Sequence, residues 1–168
     1  LFNNGSDFQL VGVVRRAVIS GEVDNDKSSL SAKYHGFIGS AEYDLLAAKH
    51  YGDDILAAGF STDFIGAVWR ADLVWTGAES ENVFSSVIGA SYSGVVSGHN
   101  WTGFIEYYFN GFGQSNGDYS APGLKSNPEL LKRLARGELF NLARHYLGAS
   151  VTIEISPLFN LTPNLFIN

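Results

Sequence analysis

Apolar and polar residues alternate with a period of two along much of this chain. Between residues 64 and 76 one phase is entirely apolar, whereas the other is mixed and carries both charged residues, Arg70 and Asp72. The stretches 101–110 and 143–155 repeat this pattern. Because successive side chains of a β-strand point to opposite faces, the pattern predicts strands with one apolar and one polar face.

Nine strands are predicted, and the connections between them alternate between short turns and longer or more polar loops. Their predicted ranges are 8–20, 29–38, 41–51, 54–62, 64–76, 82–94, 99–110, 139–156 and 159–168. Strands joined in this way form an antiparallel meander, and short turns on one rim with longer loops on the other are typical of outer-membrane barrels. The expected fold class is all-β: an up-and-down meander of about 8–10 strands forming all or part of a transmembrane β-barrel.

The residues at the ends of the apolar faces and along the polar faces favour a membrane barrel over a soluble one. Aromatic side chains form two expected girdles, with Tyr43, Tyr92 and Trp101 near the short turns and Tyr51, Trp75, Phe84 and Phe109 near the longer loops. The two bilayer interfaces favour such rings. Charges of both signs are expected to line a water-filled lumen: Lys33, Glu42, Asp44, Arg70, Asp72, Glu106, Arg144 and Glu154. Lys49 and His145 share the apolar phase, and we expect both near the long-loop rim, within reach of lipid headgroups.

The longest connection, residues 111–137, ends in a predicted helix at about 127–137. Asn127 can cap this helix, Pro128 suits its first position, and Gly137 ends it. One hypothesis is that the helix enters the barrel mouth, where Lys132, Arg133 and Arg136 form a basic constriction opposite carboxylates such as Glu106. The alternative is a surface helix that covers the rim, and the sequence leaves both open.

Four segments resemble uncharacterised, porin-like outer-membrane β-barrels of Gram-negative bacteria. They are EYYFNGFG at 106–113, YDLLAAKHYG at 43–52, GAVWRADLVW at 66–75 and RGELFNLARHYLG at 136–148. The resemblance implies the fold and the location, but it assigns no catalytic or ligand-binding residue. The chain ends in Phe166-Ile167-Asn168 without the terminal aromatic residue of such barrels, and nine strands is an odd number. We therefore expect residues 1–168 to be a single β-barrel domain that is a fragment of a larger barrel.

The composition excludes several classes of protein and of binding site. The 168 residues are 45% hydrophobic and 17% charged, which excludes a disordered chain, and the net charge of −6 argues against a nucleic-acid partner. The absence of Cys excludes disulfides and thiolate metal sites. The four histidines show no metal-binding spacing, so we expect neither a metal nor a cofactor.

The expected function is passive passage of small solutes through a charge-lined lumen in the bacterial outer membrane, without enzymatic activity. The lipid bilayer and small solutes are then its partners, and the oligomeric state stays open. One alternative is a soluble, lipocalin-like ligand-binding barrel. Another is an outer-membrane hydrolase that uses His99 near Ser97, or His50 near Asp53 and Asp54.

Overall fold

The computed structural model describes residues 5–168, and within them it contains ten β-strands and two short α-helices. The elements in chain order are β1 (Asp7–Val13), β2 (Ser29–Ile38), β3 (Ala41–His50), β4 (Asp53–Phe64), β5 (Ala67–Gly77), β6 (Asn82–Val96), β7 (His99–Phe109), α1 (Ala121–Lys125), α2 (Pro128–Arg136), β8 (His145–Ser156), β9 (Phe159–Leu161) and β10 (Asn164–Ile167). The chain divides into two units, Leu1–Phe84 and Ser85–Asn168, which are described separately. The predicted all-β class and antiparallel meander are confirmed.

In the first unit, β1 to β5 follow one another in chain order, and each strand pairs antiparallel with the next. Two of the hairpins close through Tyr51-Gly52 and Ile65-Gly66, in which both residues have positive φ. Two positive φ angles give the turn whose twist matches the flanking strands. Because a β-branched residue rarely adopts a positive φ, Ile65 at φ 54° holds backbone strain in the β4–β5 turn.

In the second unit, β6 pairs with β7 and β7 with β8, both antiparallel. β8 also pairs with both β9 and β10. The single strand predicted at 159–168 is therefore two short strands. Pro163 lies between them, and its carbonyl accepts a hydrogen bond from the Val151 amide at 3.2 Å. Since proline has no N–H to donate to a ladder, it separates the two strands.

Two further predicted strands are shorter in the structure. β1 ends at Val13, and residues 14–28 form a loop instead of continuing the strand to residue 20. Arg15 fastens this loop, because its guanidinium Nη1 donates to Lys27 O at 2.7 Å and to Ser29 Oγ at 2.6 Å. β8 begins at His145 rather than at residue 139. In both cases the predicted strand extends over apolar residues that do not alternate, within 14–19 and 139–142, and the backbone there leaves its neighbouring strand.

The strand register places the apolar phase on one face of each unit. In the first unit Leu56 lies opposite Trp75 and Ala58 opposite Leu73, and in the second Ile105 lies opposite Ala149. These faces are open: Leu10 is 68% exposed, Leu56 55% and Ile105 51%. Within residues 5–168, the buried apolar residues are Val83, Phe112, Leu130, Ala143 and Tyr146.

Most of those buried residues belong to the long loop at 110–144 or lie beside it. The predicted helix is confirmed as α2: the Asn127 side chain accepts from the Leu130 amide at 3.1 Å, and Gly137 ends the helix with φ 71°. The second helix, α1, was not predicted. It has five residues, and the Ser120 hydroxyl caps it by accepting from the Gly123 amide at 3.2 Å. No helix within residues 5–168 is both long enough and apolar enough to cross a membrane.

Three polar side chains hold this loop together from inside. Asn110 is fully buried, and its Nδ2 donates to Asn141 O at 3.3 Å and to Ala143 O at 3.4 Å. Gln114 Nε2 donates to Gly123 O at 2.9 Å. Asn127 Nδ2 donates to Phe112 O at 2.9 Å, so the residue that caps α2 also ties the helix to the start of the loop. A connection of this length is thus a defined structure with a core of its own.

Candidate functional site

The polar face of the first unit gathers five of the predicted lumen residues. Cross-strand pairing places Asp44 and Asp72 on either side of Gly59, and Glu42 and Arg70 on either side of Ser61. Lys33 Nζ lies 2.9 Å from Asp44 Oδ1, and His35 Nδ1 lies 3.0 Å from the same oxygen. The charges on this face are therefore mixed in sign, and Asp44 is already satisfied by protein partners.

The remaining predicted lumen residues belong to the second unit, where one of them, Arg144, differs from expectation. Glu154 accepts a hydrogen bond from Asn100 Nδ2 at 2.7 Å at the turn end of β8. The prediction that Arg144 lies on the polar face of a strand is wrong, because it precedes β8 and its Nε donates to Gly113 O at 3.1 Å. Arg144 therefore fastens the long loop. Glu106, in contrast, lies on the polar face in the middle of β7.

The basic residues of the predicted constriction helix pair with carboxylates of their own loop. Arg133 Nη1 lies 2.8 Å from Glu138 Oε2, and the guanidinium stacks on the Phe112 ring with 3.8 Å to its centroid. At 4% side-chain exposure, Arg133 is buried inside the loop, which corrects its predicted role in a constriction. Lys132 lies 4.0 Å from Glu129 and Arg136 lies 3.4 Å from Glu138, so their predicted role stays a prediction.

The predicted girdle residues lie at both ends of the strands, with one exception. Tyr92 and Trp101 share the apolar face near the β6–β7 turn, with ring centroids 5.5 Å apart. Tyr43 lies near the β2–β3 turn, Trp75 and Phe84 border one apolar depression, and Phe109 is the last residue of β7. Tyr51 instead occupies the β3–β4 turn, where the Arg15 guanidinium covers its ring at 4.1 Å.

The two polar residues that share the apolar phase both have partners at the loop end of their strands. Lys49 Nζ lies 3.2 Å from Asp54 Oδ1, directly across the β3–β4 turn. His145 Nδ1 lies 2.7 Å from the hydroxyl of Tyr107. Both residues thus lie at the end of a strand, and this agrees with the position that the sequence predicted.

A cavity of about 410 Å³ opens on the polar face of the second unit, around Glu106. Its lining residues are Val87, Phe104, Glu106, Tyr108, Asn141, Tyr146, Gly148, Ala149, Asn164, Leu165 and Phe166. The rings of Tyr108 and Tyr146 stack at 5.9 Å with 19° between their planes, and Phe166 lies 5.8 Å from Tyr146. Four aromatic rings thus line the cavity, and among the described residues of its wall Glu106 is the one charged side chain.

The long loop supports this cavity. The Ala143 amide donates to the Tyr146 hydroxyl at 2.6 Å, which fixes the orientation of that ring. Asn141, a residue of the wall, accepts from the buried Asn110 through its carbonyl. Sequence reasoning missed the cavity, although the polar phase of β7 already carried the signal: Phe104, Glu106 and Tyr108 alternate along one face. The facing residues Tyr146 and Phe166 follow only from strand register.

Of the two local hydrolase candidates, the His99–Ser97 pair is not formed, whereas His50 lies opposite Asp53, near which the sequence placed it. His99 does not pair with Ser97; its Nδ1 lies 3.0 Å from the backbone oxygen of Glu154. His50 lies opposite Asp53 across the β3–β4 hairpin, and its Nδ1 lies 2.8 Å from Ser29 Oγ. Since Arg15 already donates to Ser29 Oγ, the hydroxyl hydrogen is free to point at the imidazole.

Comparison of the chain with known protein families, curated protein sequences and solved structures gave no match. Within residues 5–168, no three His, Asp or Glu side chains form a group suited to holding a metal ion.

Proposed function

We propose that this chain forms all or part of a porin-like β-barrel in the outer membrane of a Gram-negative bacterium, and that small solutes pass along its polar face. The observation that carries the proposal is the exposure of the apolar face in both units. Leu10, Leu56 and Ile105 are each more than half exposed although they lie in strands. A lipid environment makes this exposure favourable, whereas water makes it costly at roughly 25 cal/mol for each Å² of apolar surface.

The opposite face supports the same proposal, because its chemistry suits water. In the first unit it carries Lys33, Asp44, Arg70 and Asp72 on neighbouring strands. Mixed charges with cross-strand partners are compatible with a hydrated lumen. They also mean that this part of the face does not select solutes by a single sign of charge.

Neighbouring alanines on β4 offer a matched test. Ala58 lies on the apolar face and Ala57 on the polar face, and both are half-buried. The natural chain has no cysteine, so Ala57→Cys and Ala58→Cys each introduce one unique thiol. After reconstitution into phospholipid vesicles, a water-soluble maleimide should label Ala57→Cys at least about tenfold faster than Ala58→Cys, because lipid covers the second thiol.

The soluble alternative predicts the same difference in labelling, and it is separated from the membrane proposal by how the chain behaves without detergent. In a lipocalin-like barrel the polar face meets water and the apolar face lines a closed interior, and the chain stays monomeric in buffer without detergent. Monomeric behaviour without detergent, together with failure to insert into vesicles, would overturn the membrane proposal. The pair Ala47→Cys and Ala48→Cys on β3 repeats the comparison on a second strand, since these residues also lie on opposite faces.

A hydrolase is the second candidate, and the Ser29–His50 contact opposite Asp53 favours it. A serine that donates to an imidazole held near a carboxylate is the arrangement of a nucleophile and its base. Ser29→Ala should then abolish ester hydrolysis without changing the circular dichroism spectrum. Full retention of any such activity in Ser29→Ala would remove this candidate and leave Ser29 as an anchor for Arg15.

A further inference from the structure

The cavity around Glu106 contains a carboxylate that no basic side chain of the described chain neutralises. Within residues 5–168, no Lys or Arg lies within ion-pair distance of Glu106, whereas Asp44 pairs with Lys33 and Asp54 with Lys49. The cavity wall, as far as the described part of the chain forms it, contains no basic residue. The negative potential of this carboxylate is therefore available to a ligand.

A glycine on the neighbouring strand β8 keeps the space on one side of this carboxylate open. Cross-strand pairing places Gly89 on one side of Glu106 and Gly148 on the other. A methyl group built on Gly148 would approach only Phe166, at 3.9 Å, so the space there is not filled by the neighbouring strand. A larger residue at position 148 would extend over the carboxylate, since directly opposed side chains lie about 5 Å apart. On the other side the Glu106 side chain itself packs against Gly89, where an added Cβ would lie 3.6 Å from Glu106 Cγ.

Aromatic faces complete the wall. Tyr108 and Tyr146 form a stacked pair, and Phe166 continues it on the side of β10. Phe104 lies one position along the same face of β7 from Glu106, two residues before it. The face of an aromatic ring attracts a cation through its quadrupole, and rings grouped around a site recognise ammonium ions that are too large and too weakly hydrated to prefer water.

We propose that this cavity binds small organic cations, such as quaternary or primary ammonium compounds, and that these are the solutes favoured by this part of the polar face. The rings contact the alkyl groups and Glu106 neutralises the charge. An anion would meet an unneutralised carboxylate, and a neutral sugar would leave that charge without a partner. The identification of the ligand as a passing solute rests on the proposed function, but the binding site itself does not.

The test is calorimetric titration of the full chain in a maltoside detergent with tetramethylammonium chloride, choline chloride, glucose and sodium chloride. Tetramethylammonium and choline should bind, and glucose and sodium should not. Glu106→Gln keeps the shape of the side chain and removes its charge, so it should weaken binding at least about tenfold. Tyr108→Leu should weaken binding about fivefold, because it removes one ring. Glu154→Gln is the matched control, since this carboxylate lies outside the cavity wall, and it should leave binding unchanged.

The outcomes distinguish failure of the binding-site inference from failure of the proposed solute passage. If folded wild-type chain binds glucose as well as tetramethylammonium, or if Glu106→Gln binds as tightly as wild type, the inference is overturned. If dodecylphosphocholine binds while free choline does not, the cavity takes lipid headgroups, and the solute proposal is wrong. Insertion of the chain into vesicles, together with the maleimide labelling of Ala57→Cys and Ala58→Cys there, tests the membrane proposal independently of all these results, because neither measurement involves a ligand.

Discussion

The strands and the long loop at 110–144 are stabilised in opposite ways. The strands have open apolar faces, and their residues depend on whatever covers those faces. The loop encloses its own small core, with Leu130 and Asn110 fully buried and Phe112 packed under Arg133. The stability of the strands therefore depends on the lipid, detergent or water that meets their apolar faces, whereas the loop is stabilised mainly by contacts among its own residues. Substitutions of the same type in both regions should therefore differ sharply in effect.

The largest difference is expected between two glycine substitutions. A Cβ on Gly113 would overlap the carbonyl oxygen of Ala143, where two backbone segments of the loop touch. A Cβ on Gly12 in β1 would approach only Leu30, at 4.0 Å. Because backbone cannot yield as a side-chain end can, Gly113→Ala should destabilise the loop by about 3 kcal/mol or more.

Hydrogen exchange at the Gln114 amide measures this effect, since that amide donates to Leu142 O at 2.7 Å inside the loop. Its protection should collapse in Gly113→Ala. Gly12→Ala is the control and should shift exchange there by less than about 0.5 kcal/mol. Equal exchange in both variants would show that the loop has no closely packed core.

The second prediction compares one leucine in each region. Leu130 has 0% exposure, so Leu130→Ala leaves a cavity and should cost about 2–5 kcal/mol. Leu56 lies on the open apolar face, and Leu56→Ala removes surface without leaving a cavity. Its cost should stay within about 1 kcal/mol. Urea unfolding in detergent, read together with proteolysis within residues 111–137, separates the two. A large cost for Leu56→Ala in detergent would mean that protein covers the apolar face.

The same contrast explains what the sequence could and could not predict. The alternation of β2 to β7 predicts these strands nearly to their bounds, because each pairs with a neighbour close in sequence. The alternation shows only one wall of the cavity, the polar phase of β7, since Tyr108 and Tyr146 are brought together by a pairing across the whole long loop. Helix α2 was predicted from Asn127, Pro128 and Gly137, but nothing local shows that Arg133 turns inwards. The periodicity of a sequence shows which residues share a face of a strand or helix, but it does not show which residues of other elements they contact.

The third prediction concerns backbone strain in a turn between two strands. Ile65 holds φ at 54° in the β4–β5 turn and is largely exposed, so its side chain contributes little to offset the strain. Asn tolerates this conformation and is favoured before Gly in such turns. Ile65→Asn should therefore stabilise the first unit by about 1 kcal/mol. The matched control is Ser97→Asn in the β6–β7 turn, where the replaced residue is not β-branched, and the gain there should be smaller. Loss of stability in Ile65→Asn would indicate that the isoleucine contacts lipid or protein at the turn.

The smallest expected effect is a pH dependence of the long loop through Asp118. Hydrogen bonds from the hydroxyl and amide of Ser120 hold the pKa of the Asp118 carboxyl below its ordinary value of 3.8. A lowered pKa in the folded loop means that the ionised form stabilises it. This contribution is fully present above pH 3.8 and is lost as the pH falls through the lower folded pKa. Proteolysis resistance of residues 111–126 should therefore decrease as the pH falls below about 3.8, measured with an acid-active protease. Asp118→Asn keeps an oxygen that accepts from Ser120 but cannot titrate, so it should remove this part of the pH dependence. An identical profile in Asp118→Asn would show that other carboxyls cause the loss, and the order of the loop would then not depend on the charge of Asp118.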